Sequence, residues 1–334
     1  MPEAVTLNQA FIAGAGVLRQ AGMATPELDA RLLLCHAAGL SHEAYIGNGR
    51  QALRPEAAAE LDAAIARRLM REPVSRIVGM REFYGRVFLV DRHTLDPRPD
   101  TETLIEAALA HVDRAGLRHA PLKLLDLGAG TGCILITLLS ELPRAEGVGI
   151  DRSPEALALA AVNAERLGVA ARARFFTSDW LDAVEGRFDL IVANPPYLAE
   201  SELGTLAEEV LLYDPILALC GGKDGLDAYR RIAAGADRVL ADKGRLLLEI
   251  GPSQADPATE ILQEAGLALD AIKHDLAGRP RVVIWGRRGS SRTAPKNHLE
   301  SRDVQARFDL RRRLFGCSAL EARGRLQRQR ERIL

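Results

Sequence analysis

Past Lys123 the chain alternates short apolar runs with amphipathic ones, and this alternation restricts the fold more than any other feature of the sequence. Runs at 123–127, 147–151, 173–177, 188–193, 244–250, 268–274 and 280–286 have the length and composition of strands. Between them, 132–142, 154–167, 226–241 and 254–266 carry helical spacing. Strands separated by helices pair in parallel, with helices covering both faces of the sheet. No helix separates the last two runs, so one of that pair is expected to lie antiparallel at or near an edge. The fold class is α/β.

The first strand, Leu124–Leu127, enters a glycine loop, Gly128-Ala129-Gly130-Thr131-Gly132, and a helix is expected to start near Cys133. Glycines let a backbone turn tightly and approach a ligand that side chains would exclude. The spacing is G-x-G-x-G. It is neither the six-residue motif of dinucleotide folds nor a phosphate loop, which needs a Lys-Ser/Thr pair. The second strand ends in Asp151, about 20 residues after Gly130, where an acid commonly accepts hydrogen bonds from ribose hydroxyls. A plain turn residue fits the same position. Ser153 is placed to cap a helix opening at Pro154 and Glu155.

The run Phe188–Ala193 is halted by Asn194-Pro195-Pro196-Tyr197. Two prolines make a rigid turn at the carboxyl end of a strand, where open α/β sheets bind ligands. A planar nitrogen needs acceptors in its plane and a surface to stack on. The Asn194 carboxamide, the Pro195 carbonyl and the Tyr197 ring offer both. The tetrapeptide also fits a proline-braced turn with no ligand.

Together these three sites describe a nucleoside cofactor facing an acceptor pocket. They resemble the S-adenosylmethionine-dependent methyltransferases whose target is an amino or amide nitrogen. The chain is more closely similar to the protein-(glutamine-N5) methyltransferases of peptide chain release factors, the HemK/PrmC family. The likeness is carried by Arg81-Glu82-Phe83-Tyr84-Gly85, Pro97-Arg98-Pro99-Asp100-Thr101-Glu102 and Ser178-Asp179-Trp180. It continues through Ala218–Gly222, Asp224-Gly225-Leu226 and Leu248-Glu249-Ile250-Gly251. It covers roughly residues 5 to 287. Asp96 stands where the family usually has an aliphatic residue, and Asp214 where Glu is commoner. The tail after about residue 288 has no counterpart.

The resemblance implies a seven-stranded, Rossmann-like S-adenosyl-L-methionine-dependent methyltransferase domain behind a small helical domain. It implies methylation of the glutamine amide nitrogen in the Gly-Gly-Gln motif of release factors. Asn194, Pro195, Pro196 and Tyr197 would form the catalytic turn. Gly128, Ala129, Gly130, Thr131, Gly132, Asp151, Trp180 and Asn194 would hold the cofactor. Trp180 would pack near the adenine, although a core tryptophan fits equally. Arg98 would line the methionine end, or be a surface arginine in a proline turn. Glu249 reaches the same rim, where it shapes the pocket or is structural. No metal is expected. The alternative is a DNA or RNA methyltransferase acting on an exocyclic amine (adenine N6 or guanine N2). A further one is a non-catalytic adaptor that binds ribosome or RNA through the tail.

The chain divides into a helical, substrate-contacting domain (1–75), a hairpin linker (76–97), a catalytic domain (98–287) and a basic tail (288–334), disordered or helical. In the first part Leu7, Phe11, Val17 and Leu18 share one helix, weakened by Gly14 and Gly16. Pro26 opens a second helix, and Leu53 to Leu69 supplies another. His36 and His42 read as ordinary core or surface histidines. The segment 83–90 reads as a hairpin strand whose partner includes Arg76-Ile77-Val78. A helix is expected from Thr101 to Ala115. The stretch 198–225 is long for a connector and has the character of a lid, with Glu208, Glu209 and Asp214 on its solvated face.

Charge is divided unevenly. Residues 287–334 hold 14 Lys and Arg against 5 Asp and Glu, while the preceding 286 residues hold 30 against 40. An acidic body argues against a wide nucleic-acid groove, whose affinity comes largely from cations on phosphates. The basic tail allows weak RNA or ribosome contact, or is a solvated appendage. No apolar run approaches the ~20 residues that span a bilayer, and Met1–Ala4 lacks the features of a signal peptide. Cys35, Cys133, Cys220 and Cys317 lack metal-ligand spacing and read as free thiols in a reducing cytoplasm.

Overall fold

Five helices come first in the computed structural model, which describes residues 4–289. They are α1 (Leu7–Gln20), α2 (Pro26–Ala38), α3 (His42–Asn48), α4 (Pro55–Leu69) and α5 (Val74–Val78). Each start has a local cause. Thr6 and Gln9 form a capping box on α1, Pro26 and Pro55 occupy the first turns of α2 and α4, and the Ser41 hydroxyl accepts from Ala44 N–H. The helices enclose a core of their own, with Leu18, Leu33 and Leu34 fully buried. Val17, expected on the core face of α1, is exposed.

One expectation fails here. Arg76–Val78 is part of helix α5, not a strand, because Pro73 starts the turn and Gly79, in the left-handed region at φ 70°, stops it. Ile77 goes into the helical core. The hairpin is formed by β1 (Met80–Phe83) and β2 (Arg86–Leu89), paired antiparallel with Phe83 opposite Arg86. Tyr84 and Gly85 make its two-residue turn at φ 52° and 71°, the geometry that matches strand twist.

The remaining elements are α6 (Glu102–Arg114), β3 (Lys123–Leu127), α7 (Cys133–Glu141), β4 (Glu146–Asp151), α8 (Pro154–Arg166), β5 (Ala173–Thr177) and β6 (Phe188–Ala193). They continue with α9 (Glu208–Tyr213), α10 (Asp227–Val239), β7 (Leu240–Glu249), α11 (Ala255–Glu264), β8 (Leu267–His274) and β9 (Pro280–Arg287). The seven long-range strands form one sheet in the order β5-β4-β3-β6-β7-β9-β8. The first five are mutually parallel, and β9 is antiparallel to both neighbours.

Successive strand residues point to opposite faces, and the two cores record this. Leu124, Leu190, Val192, Leu247, Val282 and Ile284 pack on the side of α6 and α7. Leu125, Ile191, Ala193, Leu248, Val283 and Trp285 pack on the side of α10 and α11. Such double-sided burial explains why these strands read as continuous apolar runs. The chain leaves β3 toward one edge, then returns to β6 on its other side, so the switch point lies between β3 and β6.

Candidate active site

Register alone assembles the predicted site. Leu127 pairs with Ile150 and with Ala193, Asp151 with Thr177, and Ala193 with Leu248. The next residues on each strand are therefore neighbours along one rim: Ser178, Asp151, Gly128, Asn194 and Glu249. The glycine loop and the Asn-Pro-Pro-Tyr turn flank the switch point.

The loop is held by peptide groups. Gly128 and Ala129 N–H both donate to the Ile150 carbonyl at 2.9 and 2.8 Å, and Gly132 N–H donates to Ala129 at 2.7 Å. Gly128, Gly130 and Gly132 lie at φ 74°, 53° and 77°. A Cβ on Gly128 or Gly130 would meet no protein atom within 4 Å, whereas one on Gly132 would lie 2.7 Å from the Ile136 side chain. The first two glycines border open space, and the third allows α7 to pack. Ala129 and Thr131 are buried. The Thr131 hydroxyl accepts from Cys133 N–H at 3.3 Å, which ties its side chain to the start of α7.

Asp151 braces the loop as well as the rim. Its two carboxylate oxygens accept from Gly130 N–H at 2.9 Å and Ser153 N–H at 3.0 Å. Each oxygen retains a lone pair. Ser153 caps α8 by accepting from Ala156 N–H at 3.1 Å, as expected. Trp180 sits three residues past the end of β5, half-buried against the α10 side, at a left-handed φ of 51°. Ser178 donates to its carbonyl at 2.8 Å and fixes that bend.

At the acceptor end, Asn194 Nδ2 donates to Thr101 Oγ1 at 3.0 Å. The Thr101 hydroxyl also hydrogen-bonds the Glu249 carboxyl, which is 1% exposed. Burial pushes Glu249 up to about 7, although Thr101 and the Arg281 guanidinium pull it back. The Tyr197 phenol is raised by burial and by the Glu249 charge, and its hydroxyl bonds Arg281. Gln254 fastens the turn from behind. Its Nε2 donates to the Tyr197 carbonyl at 2.8 Å and the Gly225 carbonyl at 3.1 Å, and its Oε1 accepts from Gly251 N–H at 3.0 Å. A Cβ on Gly221 would lie 2.6 Å from the Pro196 carbonyl, so the 198–225 segment packs directly on the turn.

Two families match the chain: PrmC N-terminal domain over residues 9–79 and methyltransferase small domain over residues 109–215. A release factor glutamine methyltransferase of Cereibacter sphaeroides is 51% identical over 80% of this chain and 93% of its own length. Another, from Rhodospirillum rubrum, is 44% identical over 90% of this chain and 90% of its own. The chain belongs to the release factor glutamine methyltransferases. Among solved structures, the hMettl16 catalytic domain in complex with MAT2A 3'UTR hairpin 6 gives a TM-score of 0.51 at 15% identity. It covers 70% of this chain and 84% of that one, and the likeness shows the Rossmann-like methyltransferase fold alone.

Several residues of this family member lie elsewhere than the sequence suggests. Asp214 is not solvated: it is 7% exposed and held between Arg76, at 2.9 Å, and Arg98. Arg98 thus directs its guanidinium at the 198–225 segment. Glu209 meets the buried Arg68 at 2.8 Å, which also pairs with Asp29 at 2.7 Å, and Glu208 lies 3.5 Å from Arg71. With Tyr213 donating to the Met70 carbonyl at 2.8 Å, these contacts fasten the 198–225 segment to α4 and α5. A cavity of about 370 Å³ between Arg67, Arg76, His93 and Tyr213 contains none of the predicted site residues.

Sequence reasoning missed Thr101 as a partner of Asn194, and also Gln254, Arg281, Asp126 and Asn163. Asn163 ties the hairpin to the glycine loop through Leu89 and the Thr131 carbonyl, the latter at 3.0 Å. Asp126 accepts from Leu135 N–H in the first turn of α7 at 3.2 Å, and burial pushes it up to about 7. A buried Asn in a helix and acids inside apolar strands were the available signals. His36 lies 3.7 Å from Glu60. Among the described residues no group of three or more His, Cys, Asp and Glu is placed to hold a metal ion. No helix there is long and apolar enough to cross a membrane. The basic tail lies, from residue 290, outside the described residues.

Proposed function

We propose that the rim between β4 and β7 brings the side-chain amide nitrogen of a glutamine into line with the methyl group of S-adenosyl-L-methionine. As a member of its family the chain is a methyltransferase, and its reaction is N5-methylation of glutamine in peptide chain release factors. The observation that carries the site reading is the Asn194–Thr101 hydrogen bond at 3.0 Å. It turns the carboxamide's NH2 into the protein, using one of its two N–H donors, and leaves Oδ1 as an acceptor for the substrate.

The open side of Gly128 and Gly130 and the spare lone pairs of Asp151 fit the cofactor, which supplies an electrophilic sulfonium methyl when bound. Gly128–Gly132 would pass under it, Asp151 would take the ribose hydroxyls, and Trp180 would lie beside the adenine. The chain's own residues do the rest. An amide nitrogen is a weak nucleophile because its lone pair is delocalised into the carbonyl. Asn194 Oδ1 and the Pro195 carbonyl accept its two N–H bonds and direct the remaining electron density outward. Tyr197 stacks on the amide plane, and Pro195 and Pro196 keep this geometry rigid. The catalytic contribution is alignment and exclusion of water. The amide proton becomes acidic only after attack and is lost to water as the product leaves, so no neighbouring base is required before methyl transfer.

In the same reading, residues 1–75 contact the protein substrate, 76–97 form the linker and 98–287 the catalytic domain. The Gly-Gly-Gln loop of release factors is the acceptor segment. The test is methyl transfer from labelled cofactor to purified release factors, total RNA and DNA. A mass gain of one methyl group on the glutamine of a Gly-Gly-Gln peptide is expected. Label in nucleic acid with none in release factors would overturn the proposal.

A further inference from the structure

Asn194 and Glu249 end neighbouring strands, and the hydroxyl of Thr101 lies between their side chains. Thr101 and Glu249 are 2% and 1% exposed, so water does not compete for these bonds. A hydroxyl has one proton to give. When Glu249 is a carboxylate, that proton must go to Glu249, and Thr101 can offer Asn194 only lone pairs. The amide NH2 of Asn194 then faces Thr101, as observed, and Oδ1 faces the rim.

When Glu249 is protonated, its own O–H can donate to Thr101. The threonine proton is then released toward Asn194, which accepts it by turning Oδ1 inward and NH2 outward. The rim would present a donor to the glutamine NH2, itself a donor pair, and productive binding of the amide would be lost.

We propose that Glu249 is a positioning residue, which through Thr101 sets the direction of the Asn194 carboxamide, so that turnover requires Glu249 to be ionised. The inference rests on Asn194 holding the substrate amide. The surroundings of Glu249 allow both protonation states. Arg281 on β9 favours the charged form, and Asp100, ahead of α6, opposes it. Cys133 at the start of α7 and Tyr197 beyond β6 also face it, and Tyr229 of α10 donates to its backbone carbonyl at 3.0 Å. Its Oε2 atom has no hydrogen-bond partner, so an added proton is satisfied only on the other oxygen, where it replaces the threonine O–H and donates to Thr101. The balance places the titration near neutral pH, at about 7.

The test measures turnover at saturating release factor and cofactor between about pH 5.5 and 8.5, where a group near neutrality changes charge. The Glu249 carboxyl is titrated in parallel by carbon-13 NMR in the free protein. Wild type should lose turnover on the acid side with the midpoint of that titration, allowing for a shift on substrate binding. Thr101→Val should lower kcat about tenfold or more, the scale of one misplaced catalytic hydrogen bond, and abolish the acid limb. Thr101→Ser should restore the limb, and Glu249→Gln should flatten it. An acid limb that survives in Glu249→Gln, or wild-type kcat in Thr101→Val, would overturn the relay. Asn194→Ala separates the two claims. If it is inactive while Thr101→Val keeps full rate and limb, the relay alone fails; if it turns over normally, the amide-holding role fails.

Discussion

At the Gly128–Gly132 end of the rim every polar contact has a backbone group as a partner, whereas at the Asn194 end side chains from distant parts of the chain bond one another. Gly130 and Asp151 are 21 residues apart in sequence, one in the loop after β3 and the other ending β4, which pairs with β3. Asn194 and Thr101 are 93 apart, and Tyr197 and Gln254 are 57 apart. The backbone end presents a hollow whose loop is tied by internal hydrogen bonds and which varies little with side-chain chemistry. The side-chain end contains a buried carboxyl that titrates near 7 and an oxygen without a partner. On the proposed reading the rigid end holds the cofactor, and the end that orients the amide depends on where protons sit.

The largest effect that sharpens this contrast is expected at Gly130. Gly130→Val puts a β-branched side chain at a left-handed φ and into the hollow rather than into protein. Cofactor Kd by calorimetry should rise about a hundredfold or more, from backbone strain plus steric exclusion. Release-factor binding should stay within a few-fold. A cofactor Kd near wild type would break the assignment of the hollow.

A smaller effect is expected from Asp126, the buried acid beneath the loop. Its folded-state pKa, about 7, lies above the ordinary value of 3.8 because burial disfavours the charge, with Asp151 adding repulsion. Between those values the folded protein holds a proton that the unfolded chain has released. Stability should therefore fall as pH rises through this window and level off above about 7. In the absence of cofactor, Asp126→Asn should gain roughly 2 kcal/mol relative to wild type between pH 5 and 7 in denaturant titrations. A constant difference between the two proteins across that range would contradict it.

The same contrast explains what was legible in the sequence. The glycine loop, Asp151, Ser153 and the Asn194–Tyr197 turn each follow a strand, so local pattern found them and sheet register brought them together. Local pattern failed where partners lie far away. Asp214 looked like a solvated lid residue because Arg76 and Arg98 are 138 and 116 positions upstream. Thr101 looked like a helix-start residue and Gln254 like a helix-edge one. Arg76–Val78 failed for another reason: its β-branched residues suggested a strand, but Pro73 and the left-handed Gly79 enforce a helical turn. Short α3 was missed because about two capped turns carry little periodicity.

The most direct measurement is Asn194→Ala, with kcat at saturating release factor and cofactor Kd determined on the same preparation. If the two ends of the rim have separate duties, kcat should fall by about two to three orders of magnitude, the loss seen when an orienting transition-state contact is removed. Cofactor Kd should remain within a few-fold of wild type. A matching loss of cofactor affinity would show that Asn194 serves the cofactor, and an unchanged kcat would show that it does not hold the glutamine.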